Sequence, residues 1–275
     1  MRVVIVISLL MTCAMVPSAQ ESRSDPASGK PLDQVLDSYV RDGMVYYRAL
    51  KAGRSRLDAY VGSLADASIA SASHEEQLAF WLNGYNALVL RTVIDHYPIS
   101  QRTRDYPAHS IRQIPGAFDR IEYRVARRRV TLDRIEQTIL PEFHDPRVYL
   151  ALGRGAVGSG RLRSEPFVGG ALSRQLAEVA AECIGQSQCL DIDRGNNRVG
   201  ASSIFSWRSK DFIAAYAGAA PALFAIRGPI ERAVLAFAEP KLLAAEREFL
   251  ARNQFSVVYK PFDWSLNDLT GRRGR

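Results

Sequence analysis

Ser73-His74-Glu75-Glu76-Gln77-Leu78-Ala79-Phe80-Trp81-Leu82-Asn83-Gly84-Tyr85-Asn86-Ala87-Leu88-Val89 is the stretch from which the fold can be read. Ser73 and Glu76 have the spacing of a capping box, in which each side chain satisfies a free backbone N–H of the other and starts a helix. Behind them Leu78, Leu82, Tyr85, Val89 and Val93 form a helical stripe that Trp81, Leu88 and Leu90 widen. A helix from Gln77 to His96 is therefore expected. Being apolar nearly all round, it must be buried in protein. Its middle holds Asn83, Gly84 and Asn86, all weaker helix formers than alanine. Something outside the helix must compensate, so Asn83 and Asn86, three apart on one face, either bind buried backbone of a neighbouring segment or line a pocket. The backbone role is preferred.

Outward from this helix, helical spacing predicts shorter helices near 32–40 and 54–64 on one side, and near 170–183, 209–226, 230–238 and 241–252 on the other. Ile121-Tyr123-Val125 and Val130-Leu132 alternate on either side of Arg127-Arg128-Arg129, as the arms and tip of a hairpin would. A short helix should run from Leu132 to Leu140 and stop at Pro141. Val148–Leu152 reads as a buried strand, with further strands near Arg198 and at Phe255-Val257-Tyr259. Helices separated by short strands argue for an α+β domain, mainly helical, with a small and mostly antiparallel sheet. No repeat or long linker divides residues 32–268, so one domain is expected.

The chain opens with Arg2, an apolar run from Val3 to Val16 and then Pro17-Ser18-Ala19, the order of a secretory signal. That run is shorter than the ~20 residues a transmembrane helix needs. Residues 1–19 are read as a signal peptide, 20–31 as a linker and 269–275 as a frayed basic tail. The mature protein should be periplasmic or secreted, with no transmembrane segment. A lipoprotein anchored through Cys13 is the less favoured option, because Thr12 is a poor residue before a lipidated cysteine. In an oxidising compartment Cys183 and Cys189 read as a disulfide stapling a local turn.

The formal charge of +7 is too modest to identify a partner, and no aromatic residues interleave with the arginines for base stacking, so nucleic acid is not expected. The four histidines, His74, His96, His109 and His144, show no metal spacing, and no metal or cofactor is expected. His96 ends the long helix, where it can meet free carbonyls. Gly153-Arg154-Gly155-Ala156-Val157-Gly158 matches the dinucleotide fingerprint, but glycine and proline follow where the phosphate-binding helix should begin. Ser159 sits between Gly158 and Gly160, but a nucleophile elbow needs glycines two residues away on both sides, where Val157 and Arg161 stand, so it reads as a loop serine.

Several of these segments together resemble the family catalogued as domain of unknown function number 547. They are residues 42–47, the Ala-Phe-Trp-Leu-Asn-Gly-Tyr-Asn-Ala block at 79–87, His96-Tyr97-Pro98, residues 132–136, Asp145-Pro146-Arg147, Leu162-Arg163, and residues 259–267 ending Asp-Trp-Ser-Leu-Asn. The resemblance suggests a papain-like or transglutaminase-like fold. It also implies a loop cysteine and a histidine that would carry thiol chemistry. Where relatives have that histidine this chain has Gln137. Where they usually read Cys-x-Ser-x-Ser-Cys-Pro-Pro it has Arg154, Ala156, Gly158, Ser159, Gly160 and Arg161. A nearby imidazole generates the thiolate in such a pair, so its loss with the thiol removes the chemistry.

The expectation is a catalytically degenerate envelope protein that binds an unknown ligand or envelope protein, with Trp81, Asn83, Asn86, Gln137 and Arg163 lining the surface. The alternative is a hydrolase or acyltransferase acting through Ser159, helped by His96 or Glu136. A third reading is a purely structural assembly component.

Overall fold

The computed structural model describes residues 30–270. The expected signal, Cys13 and residues 271–275 lie outside the described residues. Lys30 and Pro31, read as linker, already belong to the first helix, α1 (Lys30–Tyr39). A two-stranded antiparallel ribbon follows, β1 (Val40–Arg41) and β2 (Met44–Val45), turned by Asp42 and Gly43, both at positive φ. Then come α2 (Tyr47–Ala52), α3 (Ser55–Leu64) and α4 (His74–His96).

The capping box of α4 forms as expected: Glu76 N donates to Ser73 Oγ at 3.2 Å and Ser73 N to Glu76 Oε2 at 2.8 Å. Every residue from Leu78 to Leu90 is buried. The helix runs through the core, with α2 and α3 packed against it and α1 packed on those two.

The predicted hairpin is β3 (Tyr123–Val125) and β4 (Arg128–Val130), antiparallel. Ala126 and Arg127 both have positive φ, the geometry of the tight turn that matches strand twist. The next segment departs from expectation. Regular helix persists only over α5 (Leu132–Arg134), widens to a π turn over Ile135–Ile139 and tightens to a 3-10 turn over Leu140–Phe143. Pro141 sits in the first turn of that last piece instead of ending a helix. Proline has no N–H, so the carbonyls that would have bonded to it must find other donors, and the regular ladder cannot continue.

Val148–Leu152 is not a strand either. Pro146–Leu150 is a 3-10 helix whose start is capped by Asp145, with Oδ1 accepting from Arg147 N at 3.0 Å. Proline at its first position favours a helical start over an extended one.

The remainder comprises α6 (Leu172–Ile184), β5 (Leu190–Asp193), β6 (Arg198–Ser202), α7 (Ser203–Trp207), α8 (Ser209–Tyr216), α9 (Pro229–Ala238), α10 (Ala244–Ala251) and β7 (Ser256–Lys260). β5 pairs antiparallel with β6, and β6 pairs parallel with β7. The chain is a mainly helical α+β single domain with small, mostly antiparallel sheets. Cys183 and Cys189 are joined as a disulfide at the end of α6, with Cα atoms 5.3 Å apart.

No described helix is long and apolar enough to cross a membrane. The C-terminal segment is a strap: Val45 N donates to Asn267 O at 2.8 Å, Leu269 N to Val45 O at 2.9 Å and Val157 N to Ser265 O at 2.9 Å. Leu269, and Thr270 through its bond to Asp268 Oδ1 at 2.9 Å, are therefore held and do not belong to a frayed tail.

Candidate functional site

Asn86 on α4 grips the loop that follows the 3-10 helix. Its Oδ1 accepts from Gly153 N at 2.8 Å and its Nδ2 donates to Ala151 O at 3.2 Å. One turn earlier Asn83 does the same to a second segment, accepting from Phe167 N at 2.8 Å and donating to Phe167 O at 2.8 Å. Each asparagine thus satisfies a buried donor and a buried acceptor that have no ladder partner, which offsets the weak helix propensity noted above.

The loop is closed from the other side by the strap. Gly158 N donates to Asp263 O at 2.8 Å, and Asn267 bridges outward, donating to Gly43 O at 2.8 Å and accepting from Tyr47 Oη at 2.8 Å. The packing is tight enough that a Cβ on Gly160 would lie 1.6 Å from Leu150 O.

Held in this way, Arg154 turns inward and is 1% exposed. Its guanidinium forks onto Glu136, Nη2 to Oε1 at 2.7 Å and Nε to Oε2 at 3.1 Å, and Nη1 also donates to Tyr149 O at 3.2 Å. Tyr85 Oη donates to Glu136 Oε2 at 3.0 Å. The π turn explains how Glu136 is accommodated. In it Leu140 N bonds to Ile135 O, so the next donor in line for Glu136 O is Pro141, which has none. Arg208 supplies that bond from Nη2 at 2.6 Å, lies 3.4 Å from Glu136 Oε1 and stacks over the Tyr149 ring at 4.1 Å.

Burial by itself would push the Glu136 carboxyl up, but Arg154, then Arg208 and Tyr85, more than offset it and hold the group below the usual carboxylate range. Burial, followed by the neighbouring Glu136 charge, pushes the Tyr85 phenol well up, so it remains a neutral donor.

The cluster therefore carries charge without reactivity. Arginine stays protonated, and both oxygens of Glu136 are engaged. Ser159 is buried beside it, and its Oγ accepts from Arg154 N at 3.0 Å. Among the described residues no hydrogen bond links that hydroxyl to a histidine or a carboxylate. His96 is at the far end of α4, with Nδ1 2.9 Å from Thr92 O, a bond to a last-turn carbonyl.

The residues taken to line a binding surface are dispersed. Trp81 is buried in the core, edge-on to Phe80. Gln137 is exposed on the π turn. Arg163 is half-buried and paired with Glu165 and with Glu178 at 3.0 Å. Asn83 borders a cavity of about 400 Å³, lined also by Phe80, Phe167 and Glu76. The loop at 156–161 borders a different one of about 280 Å³. Among the described residues no trio of His, Cys, Asp or Glu could hold a metal ion.

Sequence reasoning passed over Arg154 and Arg208. The available signal for the first was a lone arginine among small residues directly after the apolar run 148–152, a place where a charge has to find a partner inside.

These features define a helical α+β domain built around a polar loop that is pinned to a central helix and sealed by a buried ion pair. Residues 69–184 match the model of the family described as Protein of unknown function, DUF547. That segment, which contains Asn83, Asn86, Glu136, Arg154 and Ser159, is what the chain shares with this family. No curated protein and no solved structure matches the chain.

Proposed function

We propose that this chain is an exported, catalytically degenerate member of the DUF547 family that acts by binding. The observation that supports this most is Arg154. It stands in the loop where the resemblance calls for cysteine, and its guanidinium occupies the buried carboxylate of Glu136. A protonated guanidinium cannot serve as nucleophile or base, and a carboxylate held ionised by two arginines and a phenol is a poor proton acceptor near neutrality. Gln137, in place of histidine, offers no proton shuttle. Export rests on residues 1–19, and the Cys183–Cys189 disulfide is in keeping with an oxidising compartment. The papain-like or transglutaminase-like kinship belongs to this reading as well.

The alternative, a hydrolase or acyltransferase using Ser159, has one supporting observation: that residue borders a cavity. Among the described residues it has no base within hydrogen-bond reach, without which a serine hydroxyl is a weak nucleophile. Treatment of the purified chain with a fluorophosphonate probe, and with a panel of ester and amide substrates, separates the two. The expected outcome is no labelling and no saturable turnover. Labelling lost in Ser159→Ala would establish the hydrolase instead.

A further inference from the structure

Two of the chain's three tryptophans are outside the core and beside one another. Trp207, the last residue of α7, is 48% exposed, and its ring is nearly parallel to that of Trp264 at a centroid distance of 6.2 Å. Phe262 lies 4.9 Å from Trp207 and 4.5 Å from Trp264. Trp264 is fixed from behind by Arg112, whose guanidinium sits 4.3 Å from its ring and 4.4 Å from Phe118. This is a rigid aromatic platform with an open face. Trp207 leaves about half of its surface in water while Trp264 and Phe262 pack against the core beneath it.

Phe262 also ends a groove. Cavities of about 280 and 150 Å³ meet at Gln188, and together they run from Asp42 past Ser159 to Phe262 and Asp263. The amides of Gln186 and Gln188 line it, whereas Asn267, Ser159 and Ser202 are buried in its floor and already bonded within the protein. Its charges are largely cancelled in place, Arg161 by Asp42 at 2.8 Å and Lys260 by Asp191 at 3.2 Å. Asp263 is the lining carboxylate with no cation bound to it among the described residues. A groove with neutralised charges does not select an ion. Neutral amides along a trench, a carboxylate that carries only the Ser265 N–H at 2.9 Å and a flat aromatic face suit a chain of hydroxylated rings, whose C–H faces stack on indole while their hydroxyls bond to amides and carboxylate.

We infer that this groove binds a carbohydrate chain, with one sugar ring stacked on Trp207 and a hydroxyl donated to Asp263. The inference rests on the proposed binding role and names its ligand class.

The test is titration of the full mature chain with the N-acetylglucosamine tetrasaccharide, with cellotetraose and with a decaproline peptide, followed by tryptophan fluorescence and calorimetry. Trp81 is buried, so the signal should come from Trp207 and Trp264. A saturable change with either tetrasaccharide is expected, and comparison of the two tells whether an acetamido group is read. Trp207→Ala should weaken binding roughly tenfold, the loss of one stacked ring. Trp207→Phe should retain most of it, and Asp263→Asn should weaken it several-fold at an unchanged unfolding midpoint.

Absence of binding by either sugar at millimolar concentration would overturn the inference. So would sugar binding indifferent to both Trp207→Ala and Asp263→Asn, or binding of decaproline alone. Mass analysis of the bound tetrasaccharide keeps the two readings apart. An intact sugar agrees with both, whereas a cleaved one leaves the ligand class standing and removes the inert reading. A failure to bind removes only the ligand class.

Discussion

Replacing Arg154 with alanine should be among the most damaging single changes available outside the apolar core. Arg154 is 1% exposed and Glu136 6%. Deletion removes both forked bonds to the carboxylate and the bond to Tyr149 O, leaving Glu136 with Tyr85 Oη and the more distant Arg208. Removing one member of a buried pair costs about 3–5 kcal/mol, because the other charge stays buried without compensation. For a domain of this size each kcal/mol lowers the midpoint by about 2–4 °C, so thermal unfolding followed by circular dichroism should fall by roughly 6–20 °C at pH 7.

The pH dependence follows from the carboxyl. Its folded value lies below its ordinary one of 4.5, so its stabilisation is complete above that value and is lost as pH falls through the folded value. The gap between wild type and Arg154→Ala should therefore be widest near neutrality and close in acid. The double change Arg154→Met with Glu136→Leu should recover most of the loss, since an apolar pair removes both buried charges. A loss below about 1 kcal/mol in Arg154→Ala, or a double variant no better than the single one, would refute the view that this pair seals the loop.

Asn86→Ala leaves the Gly153 N–H and the Ala151 carbonyl buried and unpaired, at about 1–3 kcal/mol for each, and a urea unfolding curve should shift to lower midpoint without a change of slope. Gly160→Ala sets a Cβ against Leu150 O and should destabilise by about 2 kcal/mol or more, seen as a reduced midpoint and faster proteolysis near residue 160. Ser73→Ala removes one half of the capping box of α4 and should cost about 1 kcal/mol with no other consequence, measured by the same unfolding curve.

The sequence by itself determined the central helix, its start and its burial. A capping box and an apolar pattern are local facts, complete within α4. It also determined the hairpin at 123–130 and the compensating role of Asn83 and Asn86, because a polar amide on a buried helix must bond to something. It could not name the partners, which are Phe167 in one case and Gly153 with Ala151 in the other.

Only the tertiary structure decided the rest. The π turn at 135–139 depends on Arg208 standing in for a donor that Pro141 lacks, across 72 residues of chain. The inward turn of Arg154 depends on Glu136, and the pairing of Trp207 with Trp264 depends on where the C-terminal strap crosses the loop. Val148–Leu152 looked extended because buried 3-10 turns and buried strands present the same unbroken apolar run, which local patterning cannot separate. Charges and aromatic rings act on whatever the fold brings within a few ångströms. For that reason the seal on the loop and the open aromatic face were absent from the sequence read segment by segment.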